Sequence, residues 1–401
     1  MTKPDASAAV VIVGGGLAGL PMACILGAAG IDTILIDAVS AQTMLQQGHD
    51  IRTTAISSGS AKVLDRAQIW DSVLKLGCPI NRIDISDGAS PILLDFKKEE
   101  AGDTPFGWIF DNLDLRRSLY DKLDTLKKHV TLLAPASVVD FEPEADHIDT
   151  ILSDGRRIRS QLVIGADGRN SFARQYMDPP TRGWKYGQRA IVCLVTHEHP
   201  HNNVALENFR PDGPFAVLPF TDLNAPDENG FIHRSAVVWT EDNPADQSLA
   251  RLDDDTFAMG LAARFPSCYG KVALSGHKAA FELVLQHAGS YIGDRMVLIA
   301  EAAHAMHPIA GQGLNVSLRD VDALADLLIA HSGDYGDQTL LERYERKRRA
   351  DTTAMLAATD TLNKLFGTDS LPVTLARRAG LKIVSRLPIA KRFFMRQAMG
   401  D

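Results

Sequence analysis

The run Val10-Val11-Ile12-Val13-Gly14-Gly15-Gly16-Leu17-Ala18-Gly19 constrains this chain more than any other segment. A short β-branched run, Ala9 to Val13, enters the glycine cluster. Leu17 to Ala29 then reads as a buried helix, and Thr33 to Ile36 as a second apolar strand that ends at Asp37. Strand, glycine turn, helix and strand is the setting in which G-x-G-x-x-G binds a dinucleotide. The glycines allow a tight turn, approach of backbone N–H groups to a pyrophosphate, and close packing of helix on strand. Gly14, Gly16, Leu17, Ala18 and Gly19 are therefore candidate cofactor-binding residues. Asp37, about twenty residues on, would accept hydrogen bonds from a ribose and repel a 2′-phosphate, which favours the adenosine of FAD or NAD over NADP. Pro21 falls early in the helix, where it removes one backbone bond and predicts a local distortion at most.

At 401 residues the chain has room for about two to three domains. Its 45% hydrophobic and 23% charged content is that of a folded globular protein, which excludes a disordered or collagen-like chain. A net charge of -8 argues against a general nucleic-acid-binding surface. Cys24, Cys78, Cys193 and Cys268 lie far apart with no C-x-x-C pair, so neither a zinc site nor a disulfide framework is indicated, and a reducing compartment fits. Ala8 to Gly30 is nearly free of charge, but Asp5 precedes it, glycines interrupt it and Asp32 ends it. It is neither a signal peptide nor a membrane span, and no transmembrane helix is predicted elsewhere.

Two further strands run into acids. Ser160 to Ile164 leads into Gly165-Ala166-Asp167-Gly168, and Met296 to Ile299 into Ala300-Glu301-Ala302-Ala303-His304. The second continues through His307-Pro308-Ile309-Ala310-Gly311-Gln312-Gly313-Leu314-Asn315, and an apolar spacing near 3.6 predicts a helix from Leu314 to Ile329. Backbone N–H groups at that helix start suit an anionic ring or phosphate. Three strand-then-acid sites in one chain predict a large ligand. No second complete G-x-G-x-x-G is present, so a separate nicotinamide domain is not indicated.

Beyond these motifs, the chain resembles the single-component FAD-dependent aromatic hydroxylases of the para-hydroxybenzoate hydroxylase fold, and among them the hydroxylases of ubiquinone biosynthesis. The residues that carry the resemblance are Arg52-Thr53-Thr54-Ala55-Ile56-Ser57 with Gly59-Ser60, Asp167-Gly168, and Ala302-Ala303-His304 through Asn315 to Arg319-Asp320. A fourth stretch runs from Pro200-His201 through Ala205, Glu207 and Phe209 to Gly213-Pro214 and Leu218-Pro219. The resemblance implies that Arg52 and Arg116 contact the flavin ribitol or pyrophosphate, that Asp167-Gly168 serves the FAD and a passing nicotinamide, and that Glu301 binds the ribitol. It places Pro308 to Asn315 against the flavin ring, with Pro308, Gly311 and Gln312 as catalytic candidates and Gly311, Gln312, Gly313, Leu314 and Asn315 as cofactor contacts. The implied reaction is reduction of FAD by NADPH or NADH, capture of dioxygen as a flavin hydroperoxide, and hydroxylation of an electron-rich ring. The cofactor carries the difficult step, while the protein orients the ring and excludes water. No metal is expected. Two departures stand out: Ala300-Glu301 where the family usually has glycine and aspartate, which predicts looser FAD contacts, and Asn208 where an arginine often follows Glu207.

The implied architecture is α/β. An FAD-binding Rossmann-like domain (1–80, 100–178 and 268–330) is interleaved with an antiparallel-sheet substrate domain (81–99 and 179–267), and a helical, basic, amphipathic C-terminal region follows (331–401). From Lys364 onward, Lys364, Arg377, Arg378, Lys382, Arg386, Lys391, Arg392 and Arg396 face only Asp369 and Asp401 in sequence, beside apolar Leu375, Ile383, Val384, Leu387, Ile389, Phe393 and Phe394. Two readings stand open: contact with a membrane surface, here the inner face of the cytoplasmic membrane, or a helix packed on the core with a solvated basic face. Other constellations have plain readings. Glu301-x-x-His304 lacks the second copy that a di-iron site needs. His197, His199 and His201 read as a strand end broken by Pro200, and Asp253-Asp254-Asp255 as a helix start. The leading expectation is a cytoplasmic FAD monooxygenase acting on a polyprenylated phenol or benzoquinol, with a ubiquinone-synthesising complex or a reductase as candidate partners. The alternatives are a soluble aromatic-acid hydroxylase of the same fold and a non-catalytic subunit of such a complex. The isolated Trp70, Trp108, Trp184 and Trp239 leave no W-x-W element of a flavin halogenase.

Overall fold

A computed structural model describes residues 3–400 apart from 89, 92, 211, 368–369, 388–390, 393–394 and 397–398; of 310, 371, 376, 383, 385 and 386 only the backbone is described. The four buried residues Val10–Val13 sit inside a six-stranded sheet whose order is Ile292–Gly293, Met296–Leu298, Leu162–Gly165, Val10–Val13, Thr33–Ile36 and Val130–Leu133. All neighbours are parallel except the first pair. Strands with no polar face need cover on both sides, which is the condition of a parallel sheet between helices. The helix Gly19–Ala28 meets that condition, since its residues from Gly19 to Gly27 are all buried. Pro21 lies in its first turn, and the bonds on either side survive: the Leu20 N–H reaches Gly16 O at 3.0 Å and that of Met22 reaches Ala18 O at 3.1 Å.

The second large element is an eight-stranded sheet in the order His304–Ala305, Val272–Ala288, Thr181–His197, His233–Glu241, Phe215–Phe220, Val204–Phe209, Arg82–Asp87 and Leu94–Lys97. It corrects the sequence reading twice. Val272–Ala288, assigned by its position to the FAD-binding part, pairs along nearly the whole length of Thr181–His197. The sheet is also not purely antiparallel, because Val204–Phe209 runs parallel to Arg82–Asp87. A strand near residue 85 can join a strand near 205 only by crossing over, and nothing in local sequence announces that partner. Two smaller sheets complete the β structure: Ala6–Ser7, Arg157–Ser160, Ile148–Leu152 and Val138–Pro143; and Thr53–Ser57, Gly107–Asp111 and Cys78–Ile80.

The C-terminal region is helical, with Gln338–Phe366 followed by Leu371–Arg386. Its cations have acidic partners that the linear sequence hid. Arg377 is buried and pairs with Asp87 at 2.7 Å, Arg378 meets the same carboxylate at 2.9 Å, and Lys391 reaches Glu100 at 2.6 Å. Lys364 pairs with Asp360 at 2.7 Å. The Arg377, Arg378 and Lys391 pairs fasten the tail beside the edge of the eight-stranded sheet, while Lys364–Asp360 lies within one helix. Asp369, Ile389, Phe393, Phe394 and Asp401 lie outside the described residues, as do the side chains of Ile383 and Arg386. Among the described residues, no helix is long and apolar enough to cross a membrane.

Candidate cofactor and substrate cavity

A cavity of about 1030 Å³ lies between the parallel sheet and the eight-stranded sheet, and every predicted site residue except Gly19 lines it. Gly19 acts from behind: a Cβ there would stand 1.8 Å from Gly14 O, so only glycine lets the helix start sit on the turn. Gly14 has φ +108°, and a Cβ would stand 2.4 Å from Ala166 O. The turn is thereby pressed against the Ala166–Asp167 segment, which joins two of the acid sites read from the sequence. Asp37 accepts from the Gly15 N–H at 2.5 Å and the Val39 N–H at 2.7 Å, so it shapes the loop as well as facing the cavity.

Whether this cradle fits FAD is tested by its unsatisfied groups. Arg116 is buried with Nε and Nη1 unpartnered, and Nη2 is 3.3 Å from Asp50. Asp167 Oδ2 accepts from the Ala173 N–H at 3.1 Å, while Oδ1 is buried without a partner. Buried donors and acceptors are nearly always satisfied, so these call for a polar ligand. Open space stands in front of Gly16, Gly168 and Gly313. A cationic donor, an acceptor and bare backbone around one channel fit the pyrophosphate and ribitol of FAD.

Arg52 is less free than the sequence suggested. Its Nε and Nη2 donate to Asp50 Oδ1 and Oδ2 at 2.7 and 2.8 Å, and its guanidinium lies 5.3 Å from the Phe281 ring centroid. Burial works to raise the Asp50 carboxyl, but hydrogen bonds from Arg52 and Asn112 outweigh it and hold the group well below the usual carboxylate range. Asp50 was missed in the sequence, although it stands two residues before Arg52. Asn315 is likewise spent within the protein: Nδ2 donates to Ala55 O at 2.9 Å and Gly311 O at 3.0 Å, and Oδ1 accepts from the Ser57 N–H at 2.9 Å. It clasps the Thr53–Ser57 strand to the flavin-side loop.

That loop leads into Gln312–Ala330, a 19-residue helix whose first residues line the cavity and turn its positive end toward it. Ahead of it, the family's usual glycine position holds Ala300 at φ +57°. Its N–H donates to Asp320 Oδ2 at 2.9 Å; the same carboxylate takes His304 Nε2 at 2.6 Å and Arg348 Nε at 2.7 Å. Asp320 is fully buried, and its role was not legible in the sequence although it closed a motif. Glu301 is half-exposed at the cavity, 3.8 Å from Arg169. His307 is buried with both ring nitrogens unpartnered, and burial pushes it down to about 4, so it is neutral at pH 7.

The remaining constellations fall where their plain readings put them. His197 ends its strand and is satisfied by Ser235 Oγ at 2.9 Å and His199 O at 2.7 Å. Asp253 caps Asp254–Arg264, accepting from the Thr256 N–H at 2.9 Å. Among the described residues no group of three or more His, Cys, Asp or Glu could hold a metal.

The wall opposite the cradle is the eight-stranded sheet. Ile83, Ile85, Ala205, Ala216, Leu218 and Val238 face the cavity there, and Leu381 and Val384 of the tail close its side. Among these side chains stands a carboxylate, Glu207, which burial raises to about 7.

Residues 7–359 match the family model described as "FAD binding domain". The chain is 40% identical to the ubiquinone hydroxylase UbiL of Rhodospirillum rubrum over 99% of its own length and 90% of that protein's. It is 31% identical to the 3-demethoxyubiquinol 3-hydroxylase of Escherichia coli, over 98% of each. Among solved structures, p-nitrophenol 4-monooxygenase PnpA of Pseudomonas putida superposes with a TM-score of 0.80 at 19% identity, over 98% of both chains.

Proposed function

The chain belongs to the FAD-binding-domain family, among the hydroxylases of ubiquinone biosynthesis, and from that premise we propose its substrate: a polyprenylated phenol or benzoquinol intermediate of that pathway. It is an FAD-dependent monooxygenase. The observation that carries the reading is the single cavity that joins a polar dinucleotide cradle to an apolar chamber. An aromatic ring with a hydrocarbon tail matches the chamber, whereas a carboxylated soluble substrate would need a cation, and the described residues of the apolar wall include none.

When bound, FAD supplies reduction by a nicotinamide and the activation of dioxygen. The protein's part is placement. Gly16 and Gly168 leave room for the pyrophosphate, Arg116 offers it unpaired donors, and the free acceptor of Asp167 suits a ribitol hydroxyl. Backbone donors at the start of Gln312–Ala330 favour negative charge on the ring system without a titrating side chain. Pro308, Gly311 and Gln312 line the cavity at that helix start, against which the substrate ring would lie. The apolar sheet face and the tail side chains Leu381 and Val384 keep water from that space.

Finer parts of the reading concern surroundings. NADPH as the donor, a partner reductase or a pathway complex, and peripheral contact with the inner face of the cytoplasmic membrane are proposals. Exposed Arg392 and Arg396 together with Leu375 and Leu387 support the membrane contact, since a lipid-tailed substrate must be drawn from a bilayer. The test is the quinone profile of a strain lacking the gene, with a restored copy as control. Accumulation of one polyprenyl phenol missing a single oxygen, cleared by complementation, is expected; an unchanged profile, where no second enzyme covers the step, would move the assignment to a soluble phenol.

A further inference from the structure

One cross-strand row on the cavity side of the eight-stranded sheet runs Ile85, Glu207, Ala216, Val238 and Val192. Its other four members are apolar, and Glu207 stands between Ile85 and Ala216. Burial is the sole influence acting on Glu207, with neither hydrogen bond nor nearby charge offsetting it. The cavity reaches Glu207, whose side chain is half-buried, and a carboxylate drawn into such a wall without a partner carries a desolvation cost that an apolar residue in this row would not. The residue therefore awaits a partner that enters the cavity. The opposite wall supplies the cofactor cradle and His307, kept neutral by its own burial.

Resting on the substrate reading above, we propose that Glu207 receives the ring hydroxyl of the aromatic substrate and takes its proton during hydroxylation. The phenolic O–H bond breaks with its electron pair left on oxygen, a carboxylic O–H bond forms on Glu207, and nothing is oxidised or reduced in this step. The released electron density enters the ring at the positions ortho and para to that oxygen, where an electrophilic oxygen is accepted. A carboxylate poised near neutrality is matched to such a transfer at physiological pH.

The test compares two probes on FAD-loaded protein: a 2-prenylphenol and its methyl ether, which lacks the transferable proton. Binding is read from the perturbation of flavin absorption, and hydroxylated product is measured separately. Wild type should prefer the phenol over the ether. Glu207→Gln should keep its flavin, lose that preference by weakening phenol binding about tenfold, and hydroxylate the phenol at least about 100-fold more slowly. Glu207→Asp, which keeps the carboxylate, should retain part of the preference and guards against a folding defect in the first variant. Undiminished hydroxylation by Glu207→Gln, or equal loss of affinity for phenol and ether, would overturn the proposal. Failure of wild type to bind either probe would instead count against the substrate reading on which it rests.

Discussion

Ala300 carries, beside the cost expected of it at the cofactor, a second one in its own backbone. Its sequence departure from glycine predicts loose FAD contacts; the structure shows the cost in the backbone, at φ +57°, with the N–H held by Asp320. A Cβ in that left-handed region costs about 1–2 kcal/mol, part of which glycine returns as unfolded-state entropy. Ala300→Gly should thus stabilise the protein by about 1 kcal/mol and leave flavin content unchanged. Thermal melting of the FAD-loaded variant checks this, and a lowered midpoint would show that the methyl group is used in packing. At this scale the sequence was most legible where backbone geometry forces an identity, as at Gly14 and Gly19. It was least legible where a residue acts through a distant partner, as Asp50 does for Arg52 and Arg116.

Elements carry the next level of constraint, and the junction of Gln312–Ala330 with Gln338–Phe366 is the clearest case. Asp320 on the first helix binds Arg348 on the second and His304 from the segment before. Burial would raise this carboxyl, but His304 and Arg348 outweigh it and hold it low. A depressed native pKa means that the unfolded chain binds the proton more readily, so the contribution is present above the ordinary carboxylate range and is lost as pH falls through the native value. Asp320→Asn should cost about 3 kcal/mol near pH 7 by leaving buried Arg348 with only the partly exposed Asp351 as its counter-charge, and should flatten the acid limb of the stability curve. Chemical denaturation between neutral and acid pH tests both. Apolar periodicity predicts Leu314 to Ile329 for a helix that runs Gln312–Ala330. The Asp320 cluster escapes that reading, because periodicity records which face is buried and not which polar group lies within it.

For the whole molecule, pairing between remote segments decides what local pattern leaves open. Four strands of the parallel sheet were legible because each is short and apolar and leads into a glycine or an acid; Val130–Leu133, which runs into Ala134-Pro135, and the two-residue Ile292–Gly293 were not. The range 268–330 was set by its flavin motifs, and neither the pairing of Val272–Ala288 with Thr181–His197 nor the parallel join of Val204–Phe209 to Arg82–Asp87 was legible, because strand propensity carries no address. The tail shows the same limit: its cations find Asp87, Asp95 and Glu100 nearly three hundred residues away, a separation about which charge counting is silent. Arg377→Met keeps the bulk of the buried stem and strips the charge from the Asp87 pair, which Arg378 shares. The expected loss is about 3 kcal/mol, with weaker retention of an apolar probe at the Leu381 and Val384 wall and little change in flavin content. Denaturation midpoints and fluorescence of a cavity-bound dye separate these effects.

The same scattering has a consequence for biosynthesis. The pyrophosphate turn at Gly14 leaves the ribosome about three hundred residues before the loop that faces it from Gly311 to Asn315, and the side wall from Leu381 follows later still. A nascent polypeptide therefore carries half a binding site throughout that interval. Flavin capture must come near the end of translation or after release, and a prematurely terminated chain would be left colourless, with its apolar chamber open to whatever chaperone or protease finds it first.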